Sequence, residues 1–365
     1  MAETVAKFTT EHGKVIMDIR SQTVSKAYLA QNTSATDSTG QIINGTFDTE
    51  ALGKIISGTI QHFKDDELIT KLGTSVFADC TQLESVDCVQ IKEIGDKCFW
   101  GCISFGPTAN FPNAKKVGDR AFSECSSLER VILAADVIFD QDGLQFNGCT
   151  NLKHVGTAES IGIHLEKETE IPKQMFNHCS SIEFVYLNET TTIHSGAFNS
   201  CTSLKEVVAP KLKVLESNTM SPFEHCINLE TITGVLDART NENEKFGSDS
   251  PLQYIGDGTF LNCDKFVDRY LANVEYIGDS ALSGCDKLDY VYPIWTTNSL
   301  YYNHNYFWKL KELGQYAFSD SKNLGKFEIG KCSCEGETTI YPKAREIFFP
   351  VIDRIEDNAF DGVFN

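Results

Sequence analysis

The chain has 365 residues, 41% of them hydrophobic, and carries 32 lysines and arginines against 51 acids, for a net charge of −19. An acidic surface of that size repels phosphate backbones and anionic lipid, so nucleic acid and membrane surfaces are poor partners. No run of about 18 apolar residues occurs, which excludes a transmembrane helix, and the acids are spread along the chain instead of forming a block.

The first twenty residues, MAETVAKFTTEHGKVIMDIR, contain no basic segment followed by an apolar stretch. No secretory signal is expected in them, and the chain reads as made in the cytoplasm. Residues 1–66 form a separate module that lacks the repeat found later. Within it, GKVIMDIR alternates as a strand. SATDSTGQIINGTF reads as a hairpin, with Asp37 to Gly40 supplying the turn and Gly45 ending the return strand.

The segment from Asp18 to Phe47, through Leu29, Ala35, Asp37, Gly40, Ile43, Gly45 and Thr46, resembles a short module of tail and fibre proteins in phages and prophages of Gram-positive bacteria. Gln31-Asn32 stands where that module has Gly. The resemblance implies that residues 1–66 attach the chain to other virion proteins, and a virion component assembled in the cytoplasm needs no export signal. The same residues also suit a β cap that shields the first repeat of an array. The two roles are compatible.

From residue 67 to 365 the chain repeats Phe-x-x-Cys-x-x-Leu. The copies are Phe77-Cys80-Leu83, Phe99-Cys102-Phe105, Phe122-Cys125-Leu128, Phe146-Cys149-Leu152, Phe176-Cys179-Ile182, Phe198-Cys201-Leu204, Phe223-Cys226-Leu229 and Phe260-Cys263-Phe266. Leu282-Cys285-Leu288 and Phe318-Ser321-Leu324 are weaker copies, and Ala359-Phe360 opens another. The step is 22 residues from Phe77 to Phe99 and 25 from Phe198 to Phe223, within the range of leucine-rich repeats.

Each unit continues into a Val-centred alternation, as in LERVIL, IEFVYL and LKEVVA, that suits a short strand with one buried face. An apolar pair then leads to Ile-Gly-Asp, where glycine is expected to supply a positive φ for a turn. One unit cannot cover its own Phe and Leu, so the units must stack. The predicted fold is a β-rich solenoid of about ten units with insertions at 236–251, 293–309 and 331–343.

The pattern resembles the BspA-type (Treponema-type) leucine-rich repeat. That resemblance implies a right-handed curved solenoid and a role in adhesion or host-surface binding. The Ile-Pro step of that repeat is mostly missing; Ala209-Pro210 and Phe349-Pro350 are its nearest echoes.

Nine of the 13 cysteines occupy the repeat's own slot. Stacked strands about 4.8 Å apart hold their Cβ vectors parallel, which disfavours bridging, so these thiols are read as reduced and packed. Cys332-Ser333-Cys334 sits in an insertion without nearby His or a second pair, and no metal site is assigned. Asp140-Gln141-Asp142-Gly143 lacks the remaining ligands of a calcium loop. No nucleophile elbow, zinc-protease, P-loop or dinucleotide motif is present. His178 and His225, next to repeat cysteines, read as fillers of variable slots. No catalytic residue and no cofactor is assigned.

The residues flanking each central Val should face the open concave side. They are Ser85 and Asp87, Arg130 and Ile132, Phe184 and Tyr186, Glu206 and Val208, Thr231 and Thr233, Asp268 and Tyr270, and Tyr290 and Tyr292. Phe184, Tyr186, Tyr270, Tyr290 and Tyr292 make this face aromatic. Beside it, insertion 293–309 adds Trp295, Tyr301, Tyr302, Tyr306, Phe307 and Trp308. Such rings are binding anchors for proteins and sugars; alternatively, the insertion buries them as a local core. The expected function is non-enzymatic recognition of a protein or cell-surface glycan. A phage or prophage virion component, with the virion as its location, is the leading reading. A cell-surface adhesin of a host-associated microbe and an intracellular protein-interaction scaffold are the alternatives.

Overall fold

The computed structural model describes residues 61–63, 70–232, 251–267, 271, 273–288, 309–324 and 351–363, and elsewhere the backbone of strands alone. Contacts divide the chain into two units, Met1–Ile161 and Gly162–Asn365. No helix occurs among the described residues.

The first unit opens with a four-stranded antiparallel sheet. Strand Val15–Arg20 falls within the predicted GKVIMDIR strand and pairs with Val5–Thr9. The predicted hairpin is present as Thr33–Thr36 against Ile42–Gly45, with Thr33 opposite Gly45 and Thr36 opposite Ile42.

The remaining described strands of this unit form a parallel β-solenoid. Three-residue strands at His62–Lys64 and Ser85–Asp87 pair in parallel, as do Thr108–Asn110, Arg130–Ile132 and His154–Gly156. Two-residue strands at Lys71–Leu72, Glu93–Ile94, Lys116–Val117 and Ile138–Phe139 form a second parallel sheet. The first parallel strand therefore begins a few residues before position 67.

The second unit repeats both features. Its three-residue type comprises Phe184–Tyr186 and Glu206–Val208, with Ile163–His164 alongside. Its two-residue strands run in order through Glu170–Ile171, Thr192–Ile193, Val214–Leu215, Tyr254–Ile255, Tyr276–Ile277, Glu312–Leu313 and Arg354–Ile355.

The core is the ladder that the repeat predicts. In the first unit Phe77, Phe99, Phe122 and Phe146 stack at centroid spacings of 5.3, 5.2 and 5.5 Å with near-parallel planes. In the second, Phe176, Phe198, Phe223 and Phe260 do the same at 5.4, 5.4 and 5.7 Å. All eight rings are fully buried. Removing each from water contributes roughly 1.5–3 kcal/mol, and no single turn could do so without its neighbours.

The Cys slot does more than fill space. Most of the slot's thiols lie one turn ahead of a Phe carbonyl and donate to it. Cys102, Cys125 and Cys149 reach Phe77, Phe99 and Phe122 at 2.9, 3.0 and 3.0 Å. Cys201, Cys226 and Cys263 reach Phe176, Phe198 and Phe223 at 3.1 Å each. Where the slot holds Ser321, its hydroxyl makes the equivalent bond to Leu282 at 2.6 Å. All eleven described cysteines are buried. Burial drives the Cys149 and Cys226 thiols up to about 12, so they are inert donors.

The glycine of Ile-Gly-Asp departs from expectation. Gly95, Gly118, Gly256, Gly278 and Gly314 do not adopt a positive φ. They are small because the previous turn lies against them: a Cβ on Gly118 would come within 2.6 Å of the Asp96 nitrogen and 2.8 Å of the Gly95 carbonyl carbon. The left-handed residue sits two positions later, at Lys97 (φ 52°), Arg120 (50°) and Ser280 (54°). A second left-handed residue precedes each repeat cysteine, for example Asp79, Glu124 and His178. Amide bonds to the next turn, such as Arg120 to Gly143 at 3.2 Å and Glu124 to Asn147 at 2.7 Å, hold these residues in place. They offset a backbone cost of roughly 1–2 kcal/mol per non-glycine residue.

Candidate binding face on the three-residue strands

Strand geometry sends alternate side chains to opposite faces. In Phe184–Tyr186 and Glu206–Val208, Val185 and Val207 point inward and are fully buried, while Phe184, Tyr186, Glu206 and Val208 are half-buried on the outer face. The first unit follows the same rule: Ser85 and Asp87 are exposed about Val86, and Arg130 and Ile132 are half-buried about Val131. The Val-centred pattern thus puts the flanking side chains on the face opposite the buried valines.

In the second unit the parallel register brings aromatic groups together. His164 lies opposite Tyr186, and their rings stack with centroids 4.4 Å apart. Phe184 lies opposite Glu206, which in turn bridges to Thr231. Lys205 holds its ammonium 5.7 Å from the Phe184 ring centroid while pairing with Glu183 at 2.6 Å. Burial, followed by the nearby Glu230, raises the Glu206 carboxyl above its usual range. The result is a small amphipathic surface with ring faces, one cation and one carboxylate that protonates early. It suits contact recognition.

Of the ten residues assigned to the site, Phe184 and Tyr186 are brought together here. Tyr270, Tyr290, Tyr292, Trp295, Tyr301, Tyr302 and Trp308 lie outside the described residues, as does the side chain of Tyr306. The sequence reading missed His164, because strand Ile163–His164 falls in a stretch without its own Phe-x-x-Cys motif.

Just past strand Thr192–Ile193, His194 joins three consecutive turns. Its Nε2 lies 3.0 Å from Glu170, and its Nδ1 contacts Glu216. Burial pulls the imidazole down, but hydrogen bonds to Glu170 and Glu216 outweigh it and hold the group above its ordinary value. His178 and His225 are exposed and left-handed, with φ of 60° and 62°. Among the described residues, no three His, Cys, Asp or Glu side chains are placed to hold a metal ion, and no helix is long and apolar enough to cross a membrane.

The chain is similar to solved leucine-rich repeat proteins. A leucine-rich repeat protein from Bacteroides ovatus ATCC 8483 is 18% identical, aligns over all of this chain and 92% of its own, and superimposes with a TM-score of 0.50. One from Eubacterium ventriosum ATCC 27560 is 16% identical over 91% of this chain and 92% of its own, with a TM-score of 0.35. The Treponema pallidum leucine-rich repeat protein is 18% identical over 63% of this chain and 79% of its own, with a TM-score of 0.28. No curated protein matches in sequence. The family model for the BspA-type leucine-rich repeat region matches in six copies, across residues 55–163, 169–305 and 238–365. With that match spanning most of its length, the chain belongs to the BspA-type leucine-rich repeat family.

Proposed function

We propose that this chain is a non-enzymatic recognition protein that binds a protein or cell-surface glycan through the outer face of its three-residue strands, in the manner of an adhesin. The supporting observation is the half-buried aromatic cluster of His164, Phe184 and Tyr186 beside Lys205 and Glu206. Aromatic groups with polar edges supply contact area at little entropic cost. Tyr270, Tyr290, Tyr292 and the rings of 293–309 extend the same proposal along the sequence.

The test compares binding of fluorescently labelled wild type and the Phe184→Ala/Tyr186→Ala variant to intact bacterial and epithelial cells and to an immobilised glycan panel. Loss of binding at unchanged melting temperature supports the reading. Undiminished binding by the folded variant rejects it.

A second reading makes the chain a phage or prophage virion component held through residues 1–66. The antiparallel pairing of Thr33–Thr36 with Ile42–Gly45 favours it, because the hairpin falls where the tail-protein resemblance lies. Neighbouring genes for tail proteins would support this reading; a locus free of phage genes would remove it.

A further inference from the structure

Tyr254 and Tyr276 take no part in the face described above. They are the outward residues of the paired strands Tyr254–Ile255 and Tyr276–Ile277, directly opposite each other in register. Parallel neighbours superimpose like side chains, and the two rings stack with centroids 4.6 Å apart and planes 5° from parallel. Unlike the phenylalanine ladder, this pair reaches solvent: Tyr254 is 37% exposed and Tyr276 is half-buried. Val214 continues the row on one side and Glu312 on the other.

The surroundings are acidic. Asp257 and Asp279, three residues beyond each ring, are both exposed. Each is fixed by one oxygen: Asp257 accepts from the Asp279 amide at 2.9 Å and Asp279 from the Gln315 amide at 2.7 Å. Among the described residues neither aspartate forms an ion pair, whereas Glu312 pairs with Arg354 at 3.2 Å and Glu216 with His194. The Tyr276 phenol is driven up to about 12 by burial first, then by Asp257, Tyr254, Asp279 and Glu312. The local potential is therefore negative, on a chain whose net charge is −19.

An exposed ring stack edged by two anchored, exposed carboxylates complements a cation that also has a flat face. Guanidinium meets both requirements, since it stacks on aromatic rings and is more weakly hydrated than ammonium. We propose that Tyr254, Tyr276, Asp257 and Asp279 form a docking site for an arginine-bearing segment of a partner protein, distinct from the face on the three-residue strands.

The test uses fluorescence anisotropy of a labelled ten-residue peptide of alternating glycine and arginine. A peptide with citrulline in place of arginine serves as the uncharged control. Wild type should bind the arginine peptide about tenfold more tightly than the citrulline peptide at about 50 mM salt. The Tyr254→Leu/Tyr276→Leu variant keeps bulk but loses the π faces. The Asp257→Asn/Asp279→Asn variant keeps an oxygen for the next turn's amide but loses the charges. Each should weaken binding about fivefold or more.

No binding to wild type, equal binding of the citrulline peptide, or full affinity in either variant overturns the proposal. The asparagine variant keeps the test decisive if the leucine variant fails to fold. Binding of maltoheptaose that is lost with the rings but retained in the asparagine variant would replace the arginine segment with a neutral sugar.

Discussion

The thiol of Cys125 donates to the carbonyl of Phe99, 3.0 Å away and one turn back. The carbonyl it satisfies belongs to a residue whose ring is stacked in the core, so polar and apolar parts of adjacent turns are locked by the same pair of residues. Cys125→Ser keeps a donor, as Ser321 shows at the equivalent place, whereas Cys125→Ala leaves the Phe99 carbonyl with the Cys102 amide, 3.1 Å away, and without the side-chain donor. Each substitution should cost about 1–2 kcal/mol, with serine no worse than alanine. Urea denaturation of both variants checks this; a serine variant clearly less stable than the alanine one would show that the bond contributes nothing.

Phe122 lies between Phe99 and Phe146, at 5.2 and 5.5 Å. Phe122→Ala should cost about 3–5 kcal/mol, because the neighbouring rings cannot close the gap. Phe122→Leu should cost distinctly less, since Leu282 occupies the corresponding place fully buried. Chemical denaturation of the two variants separates volume from stacking: equal losses would mean that aromatic stacking, and not volume, dominates.

Gly118→Ala should destabilise by about 2 kcal/mol or more, through overpacking against the turn behind it. Gly148, at φ +75°, has its nearest side-chain atom 3.4 Å from a built Cβ. Gly148→Asn should be nearly neutral, because asparagine tolerates the left-handed region. Melting temperatures of the two variants give the order, and a tolerated alanine at 118 would refute the close-approach account.

His194 predicts a pH response. Its folded-state value is raised above the ordinary 6.5, so its contribution is full below that value and is lost as pH rises through the folded value. Glu216 is lowered from 4.5, chiefly by its bond to His194. Its contribution is present above 4.5 and disappears as pH falls through the folded value. The pair is therefore most stabilising between these two ordinary values. His194→Gln should flatten the decline in urea midpoint expected as pH rises above 6.5, and an unchanged slope would show that another group governs it.

Much of the core was legible because the repeat states it many times. Phe122, Cys125 and Leu128 recur at fixed offsets, and a residue that must be covered by its copy in the next turn cannot drift. The hairpin of 33–45 was legible for a local reason, since Asp37 to Gly40 carry turn chemistry between two alternating segments. The candidate face was only partly legible: Phe184 and Tyr186 could be assigned from alternation about Val185, but His164 could not.

What the sequence by itself determined is the inside: which side chains face inward and that turns must stack to bury them, because periodicity is a one-dimensional property. Only the tertiary structure decided what neighbouring turns do to one another. It showed that Gly118 is small because Asp96 and Gly95 press against it, and that Cys125 bonds back to Phe99. It also placed Tyr254 on Tyr276. Residues 22 positions apart come within van der Waals contact when parallel strands fall into register, and that register depends on where each intervening loop returns the chain.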